Sequence, residues 1–577
     1  MTTADSTATR FPFLWLLMAL VCGSAHAQWK AESGLVLVGK VVTMNDAGDV
    51  LLNARVWVAD GKIMAIAKEG ESLPDAASDA VVIDSQGVIY PGMIDLHNHP
   101  DYAFYPLLPI NKKYRDRYEW RRYDESYEKR IEFAQELMTR AYYFDLGLEV
   151  SRYGEYKALA GGTTSIQGGG AINRGLVPGK YGNDQELPGG SPPLYGTYVS
   201  AVNAREECLA RNIEFSRVEP RVVTSRVDIG SNAREWAAMK AELAKGPLII
   251  HLAEGTSTRM EAEFRNIKAS DLLGPGLIAI HGVGLTDAQL GEMAKVGAKL
   301  VWSPLSNFML YGKTANVEAA KRAGLSISLA PDWAPSGSKS VLGELKVADL
   351  VNKHALNGLF SDRDLVDMVT RNPAAAMDWS KRLGQIGEGY LADLIVVDQK
   401  LADPYRNLIA AIEENIQMVV VRGEPLYGDA ALMQTARGEL NDVETTSTFR
   451  NRGKSRHKAM TPNCPGTGLP VMSVAETRAR LQEGLTFAPA YVARKVSSEQ
   501  MGKDFSENLP RCGAAKPSDP ATAADAKRML SCRFAIPFET TTVSPLTTNE
   551  DPQFFSRLMK NPNLPKYLRA LPDYYKR

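Results

Sequence analysis

Apolar and polar residues alternate with a period of two on both sides of a long central stretch. Over residues 34–90 the runs GLVLVGKVVTM, ARVWVADGKIMAIAK and AVVIDSQGVIYPG set apolar residues at every second position, with ADGK and SQG as turns. That spacing puts the apolar residues on one face of a strand, so a small antiparallel sheet is expected here. The pattern returns in GEGYLADLIVVDQ and IQMVVVRGEPLYG. Two strand-rich flanks predict one small β-sandwich assembled from residues 28–90 and 381–430.

The middle, residues 91–380, reads differently. Short apolar runs (MIDLH, TTSIQ, LYGTYVS, PRVVTSR, PLIIHL, GLIAIHG, KLVWSP, LSISLAPD) alternate with helix-period segments such as SNAREWAAMKAELAK and LTDAQLGEMAKVG. Strand–helix alternation predicts parallel βαβ units. About eight of them predict an α/β fold, a (β/α)8 TIM barrel, with a doubly wound open sheet as the rival. The connection from Asp101 to about Glu155 is long and crowded with aromatic and charged residues. It reads either as a lid whose Arg and Tyr meet an acidic or aromatic substrate, or as a solvated helical insertion laced with salt bridges. GGTTSIQGGG lacks the Lys-Ser/Thr of a phosphate loop and is expected to be turn and loop. Residues 431–577, rich in Pro, Thr, Ser and Arg, form a C-terminal extension of unknown role that wraps the barrel, with helical stretches at VAETRARLQEG and DAKRMLSC.

Residues 1–27 stand apart. Arg10, the apolar run FPFLWLLMALV and the small-residue site GSAHA make a secretory signal peptide, cleaved before Gln28. The run is too short for a lasting membrane anchor, and Val21 disfavours a lipid on Cys22. The expected product is a periplasmic or secreted protein with no membrane association after cleavage. Of the five cysteines, Cys208, Cys464, Cys512 and Cys532 remain in it. They allow three pairings, Cys512 with Cys532 being the nearest in sequence, or four free thiols. No C-x-x-C spacing occurs, so a cysteine-rich zinc site is not expected.

Bulk composition narrows the partner. The 577 residues are 44% hydrophobic and 23% charged, and 67 basic side chains balance 67 acidic ones. That balance supplies no global field for nucleic acid or an anionic membrane, so a small-molecule substrate is expected. A homo-oligomer is left open.

The candidate chemistry lies at strand ends. MIDLHNH ends in His97 and His99, PLIIHLAEG in His251 with Glu254 three residues on, GLIAIHG in His281, and LSISLAPDW in Asp332. In a barrel, the C-terminal strand ends carry the catalytic groups. Of the seven histidines only His26, His354 and His457 lie elsewhere, and the last two read as structural or solvated. Imidazole and carboxylate suit Zn²⁺, and also Fe²⁺ or Mn²⁺. A metal-activated water then needs proton acceptors and donors, and Asp332, His281 and Glu254 are available. Asn307, just past the seventh strand, either contacts substrate or shapes its loop.

Taken together, PGMIDLHNHP, IHLAEGTS, IAIHGVGLTDAQL, SPLSNFML, LAPDWAPSGS and TRNPAAAMDWSKRLGQIGEGYLADLIVVD resemble the amidohydrolase superfamily over about residues 34–430. PRVVTSR ends in neither the lysine nor the glutamate of two-metal members, and H-x-x-E after the fifth strand is similar to the one-metal deaminase and imidazolonepropionase branch. The resemblance implies one divalent ion, zinc foremost, held by His97, His99, His251 and Asp332. It implies that Glu254 shuttles a proton to a substrate nitrogen, that His281 hydrogen-bonds the water or a substrate oxygen, and that Asp332 also takes the water's proton. The expected activity is hydrolysis of a non-peptide C–N bond in a cyclic amide, cyclic imine or amino-heterocycle. A two-metal dipeptidase- or carboxypeptidase-like enzyme and a non-catalytic ligand-binding relative are the alternatives.

Overall fold

The computed structural model describes residues 34–168, 209–463, 471–497 and 541–576, with short breaks within 124–145 and at 215–217, 227, 231, 439–440 and 452–453. The signal segment, LYGTYVS, DAKRMLSC and all four remaining cysteines lie outside the described residues.

The first flank forms β1 (Leu35–Val42), β2 (Val50–Ala59), β3 (Lys62–Ala67) and β4 (Val81–Pro91). The second forms β13 (Leu394–Val397), β14 (Ile416–Val421) and β15 (Glu424–Asp429). They join where β4 pairs antiparallel with β13 through Ile89 and Val396. The extension then adds a hairpin, β16 (Glu444–Asn451) and β17 (Lys454–Met460), onto β15. Hydrogen bonds therefore run through all nine strands as one sheet, in the order β16-β17-β15-β14-β13-β4-β1-β2-β3. The sheet is mixed rather than purely antiparallel, because β1 and β4 run parallel. The β2–β3 hairpin occupies one edge of β1, so the chain must cross over to reach the other. Leu35, Val56, Ile83, Leu394, Val396 and Val420 share one buried cluster, so the two flanks have a core in common.

The barrel strands follow in register: β5 (Met93–Asp95), β6 (Thr163–Ile166) and β7 (Arg211–Asn212) in one parallel sheet, then β8 (Thr224–Arg226), β9 (Leu248–Leu252), β10 (Leu277–His281), β11 (Lys299–Trp302) and β12 (Ser326–Leu329) in another. The strand beside β6 is thus a two-residue polar piece, not an apolar run. Arg211 is buried there because its guanidinium forks onto Asp393 at 2.9 and 3.0 Å. Between β12 and β5 the ring closes when the Asp332 amide donates to the His97 carbonyl, 3.1 Å. Across the β7–β8 opening, Glu214 accepts from Ser225 Oγ (2.6 Å), Gln167 Nε2 (3.1 Å) and the Gly168 amide (3.0 Å), tying three strand ends to one carboxylate.

The insertion after β5 is packed, not solvated. Phe104, Tyr105, Leu107, Tyr114, Trp120, Tyr127 and Ile131 are buried in the main core. Residues 541–576 of the extension lie in the same core through Val543, Phe554, Leu558, Leu568 and Leu571. Lys339, from the loop after β12, meets Asp551 at 2.8 Å, and both are almost fully buried. Asp551 also caps the helix Pro552–Met559 by accepting from the Gln553 and Phe554 amides. Removing one partner of a buried pair strands the other charge, which typically costs about 3–5 kcal/mol. Asp551→Ala should therefore lower unfolding stability in urea by at least about 3 kcal/mol and open the 541–576 segment to proteolysis. Wild-type stability in that variant would show that the strap is not held by this pair.

Candidate active site

Asp95, His97 and His99 lie at and just beyond the end of β5, and one acid orders the turn. Asp95 Oδ1 accepts from the His97 amide (3.1 Å) and Oδ2 from Asn98 Nδ2 (2.6 Å). Burial raises the Asp95 carboxyl to about 8, against the lowering effect of those two bonds. His97 Nε2 is 2.9 Å and His99 Nε2 3.6 Å from Asp332 Oδ1. The His97 ring centroid is 4.7 Å from that of His251, 5.0 Å from His281 and 5.0 Å from His99. The structure therefore brings all of the sequence-predicted site residues at the strand ends into one cluster. Ala253, His281 and Asp332 hold φ of +53°, +72° and +67°. Left-handed backbone is costly for side-chain-bearing residues, and its concentration at three strand ends marks a functional site.

The donor set fits a divalent cation. Both ring nitrogens of His97, Nδ1 of His251 and Nε2 of His281 are buried without a hydrogen-bond partner. Buried polar atoms are seldom left so, and lone pairs of imidazole and carboxylate converging on one point are what a cation satisfies. Ligand atoms group as His97, His251, His281 and as His97, His99, Asp332, each set within 4.8 Å. The two sets share His97, so among the described residues they make one cluster. Burial pushes His99 down to about 4 and holds His251 and His281 well below the ordinary imidazole range, with His97 adding to the effect on each. These three rings are therefore neutral near pH 7, which leaves each with one bare ring nitrogen, the state a ligating imidazole needs. Burial alone would raise Asp332, but the adjacent His97, with His281 and His99, holds its carboxyl well below the usual range. Ser306 Oγ donates to Asp332 Oδ2 at 2.6 Å.

Glu254 sits on the loop after β9, fully enclosed. Burial lifts its carboxyl to about 7, and Arg117 and a hydrogen bond from Tyr311 limit the rise. Tyr311 Oη donates to Glu254 Oε1 (2.6 Å), and Trp120 Nε1 donates to Tyr311 Oη (2.8 Å). Glu254 Oε2 lies 3.6 Å from His281 Nε2. His281 Nδ1 meets Asn307 Nδ2 at 2.9 Å, so Asn307 holds the His281 ring rather than standing free on its loop. Sequence reasoning missed Asp95, Tyr311 and Arg117 individually. Asp95 stood two residues before His97, on the same side of the strand, and Tyr311 stands one helical turn after Asn307 in Pro304–Tyr311.

A cavity of about 610 Å³ opens beside these groups. One wall is aromatic, made by Tyr102, Trp120, Tyr127 and Trp333, with Trp120 and Trp333 stacked at 5.3 Å. The other wall is polar, including Gln167, Glu214 and Ser225. The insertion supplies three of the four rings and is latched to the Glu254 loop. The Thr256 amide donates to the Arg115 carbonyl (2.6 Å) and the Arg117 amide to the Glu254 carbonyl (3.2 Å). Gly255 permits this with φ +144°, and a Cβ there would lie 2.5 Å from Arg115 O and Asp116 Cα. Glu263 braces the same loop, accepting from the Ala253 amide (2.8 Å) and from Tyr118 Oη (2.8 Å).

Comparison with known proteins agrees with this construction. Residues 231–426 match the amidohydrolase family. The chain is 32% identical over 222 residues to a 5-methylthioadenosine/S-adenosylhomocysteine deaminase from Archaeoglobus fulgidus, covering 35% of this chain and 51% of that one. It is 24% identical over 438 residues to the Pyrococcus furiosus protein of that name, covering 71% and 98%. Among solved structures it is similar to an atrazine chlorohydrolase from Arthrobacter aurescens complexed with zinc, with 18% identity, a TM-score of 0.53 and 68% and 95% coverage. It is also similar to a zinc-bound adenosine deaminase from Xanthomonas campestris, with 19% identity, a TM-score of 0.51 and 71% and 98% coverage. The barrel, the flanking sheet and the His/Asp cluster at the strand ends have one common reading: the chain has the fold of the amidohydrolase superfamily, like its deaminase and triazine-hydrolase structures, with the donor set of a metal-dependent hydrolase and a match to the amidohydrolase family over residues 231–426.

Proposed function

We propose that the protein is an exported, zinc-dependent amidohydrolase that hydrolyses a non-peptide C–N bond of a flat, amino-substituted nitrogen heterocycle, with ammonia or an amine leaving. The observation that carries this reading is Glu254. It is a buried carboxyl raised to about 7, beside a cluster of metal-ligating side chains and in the wall of a cavity lined by aromatic rings. A group poised near neutrality both takes and gives protons. His97, His99, His251 and Asp332 would hold the ion, and three imidazoles with one carboxylate favour zinc. A zinc ion there supplies Lewis-acid activation of the attacking water.

The protein's own groups do the rest. The aromatic wall stacks a planar ring and keeps bulk water from its face. Asp332, held ionised, receives the proton of the attacking water. Glu254, protonated through Oε2 because Oε1 is bonded to Tyr311, delivers a proton to the ring or leaving nitrogen. His281 holds the oxygen. The relatives named as 5-methylthioadenosine/S-adenosylhomocysteine deaminases support deamination as the reaction class. Export rests on the sequence of residues 1–27.

A screen of metal-loaded protein for ammonia release should find activity on amino-purines, including 5-methylthioadenosine, or on amino-triazines or amino-pyrimidines. Activity confined to dipeptides would overturn the reading. On the substrate found, Glu254→Gln should cut kcat by about 10²–10⁴ with zinc content unchanged. His97→Ala and Asp332→Asn should each lose the zinc, read by elemental analysis, and full occupancy in both would move the ion elsewhere. The pH profile carries a sign. Because Glu254 acts protonated, the rate falls as pH rises through its titration. Tyr311→Phe removes a donor to the carboxylate, disfavours the anion and should move that descending limb to higher pH. An unmoved or lowered limb would remove Glu254 from the acid role.

A further inference from the structure

The polar wall of the cavity holds a carboxylate that the proposed proton transfers do not use. Glu214 stands two residues beyond β7 and lines the cavity. It lies deep in the protein, and burial raises its carboxyl above the ordinary range. Its side chain is nevertheless only half-buried. The surface it keeps is turned to the cavity it lines.

The two oxygens of this carboxylate are not alike. Three donors converge on Oε1: Ser225 Oγ at 2.6 Å, the Gly168 amide at 3.0 Å and Gln167 Nε2 at 3.1 Å. Oε2 has the Gly168 amide at 3.2 Å, a donor it shares with Oε1. Gln167 is held in this orientation by its other end, where Oε1 accepts from the Asn98 amide at 3.0 Å. A backbone N–H only donates, so the glutamine NH₂ must face Glu214. Donors to a carboxylate favour its anion, yet all three are uncharged. Among the described residues no basic side chain pairs with Glu214. The arginines of the same cavity each have an acid of their own. Arg117 is 3.2 Å from Glu263, Arg121 is 3.0 Å from Asp228, and Arg226 forks onto Glu242 at 2.5 and 2.6 Å.

We propose that Glu214 is a substrate-binding residue whose Oε2 takes a positively charged N–H donor, an alkylammonium arm carried on the substrate's ring. An ammonium brings both things this carboxylate lacks, a donor for Oε2 and a balancing charge. A hydroxyl would bring the first alone. A carboxylate or phosphate arm would set a second negative charge against Glu214, beside arginines that are already paired. Gln167 sets the spacing. Its amide bridges Glu214 and the Asn98 amide, in the turn that carries His97 and His99. The point of recognition is thus one side-chain amide from the proposed metal centre, within reach of a short arm on a ring held at the aromatic wall.

The inference names the substrate class of the proposed site and rests on that reading for the ring, so its test reads binding rather than turnover. Two probes of one shape, phenethylammonium and phenethyl alcohol, are titrated into the zinc-loaded full-length protein near neutral pH by calorimetry. The phenyl ring stands in for the stacked heterocycle, and the two tails differ in charge. Wild-type protein should bind the ammonium at least about tenfold more tightly than the alcohol, the worth of one charge-assisted hydrogen bond. Glu214→Gln keeps an oxygen for the three donors and removes the charge. It should melt like the wild type, lose the tenfold preference and bind the alcohol as before. Equal binding of the two probes by wild-type protein would overturn the proposal without any variant. So would a folded Glu214→Gln protein that still prefers the ammonium, because Glu214 would then serve only to tie the strand ends. A screen that finds no ammonia release from any heterocycle would leave the probe result standing, and failure of the probes would leave the metal chemistry untouched.

Discussion

Asp332 joins the barrel's closure to its chemistry. Its amide bonds the His97 carbonyl, the hydrogen bond that closes the ring between the last strand and the first. Its carboxylate faces His97 and His99 on one oxygen and receives Ser306 on the other. A buried carboxylate is tolerated only where partners replace its water. Here the imidazoles at the strand ends are those partners, and they in turn need a charge to converge on. Fold and site are therefore one constraint: if β12 fails to dock against β5, the ligands separate, and if the ligands are lost, the closure carries an uncompensated charge.

Glu254 and His281 stand beside that charge, and each is held by a hydrogen-bond chain that ends in a tryptophan. Trp120 acts through Tyr311 on Glu254, and Trp302 through Thr314 and Asn307 on His281. Indole suits this role because it donates one hydrogen bond, accepts none and does not titrate. Each chain therefore starts from a group that can only donate. In a low-dielectric site such fixed dipoles are worth far more than mobile ones, since they need no reorganisation as charge shifts during reaction. Trp120 has a second duty: it stacks on Trp333 in the cavity wall, so the side chain that orients Glu254 also shapes the space a substrate fills.

Legibility in the sequence followed the physics of each part. The barrel and the flanks were readable because period-two alternation and strand-end histidines are local patterns. β7 was not, because Arg211–Asn212 is polar and the arginine is buried against Asp393, 182 residues away. The hairpin β16–β17 was not, because ETTSTFRN carries one aromatic and no aliphatic residue, and it joins the sheet by edge pairing rather than by its face. The ligands were found at strand ends, whereas Asp95 and Tyr311 act through partners that only the folded chain brings near. The insertion read equally well as a lid or a solvated helix. Burial of its aromatic rings decided the matter, and burial is not encoded in a run of alternating Tyr and Arg.

The insertion also explains the extension. A segment that covers the cavity from outside the barrel needs a core of its own, and the helix Gly147–Ala160 packs on the extension's helix Val474–Ser497 and near Ser544. Residues 541–576 add Phe554, Leu558 and Leu568 beneath the insertion, and Arg557 donates to the Leu107 carbonyl at 3.2 Å. The aromatic wall is thus held from two sides, by the latch at Gly255 and by the far end of the chain. A barrel without that strap would keep its ligands but not the fixed position of Trp120. The C-terminal residues are thereby tied to the cavity: they pack in the same core as Trp120, whose indole bonds Tyr311 and through it Glu254.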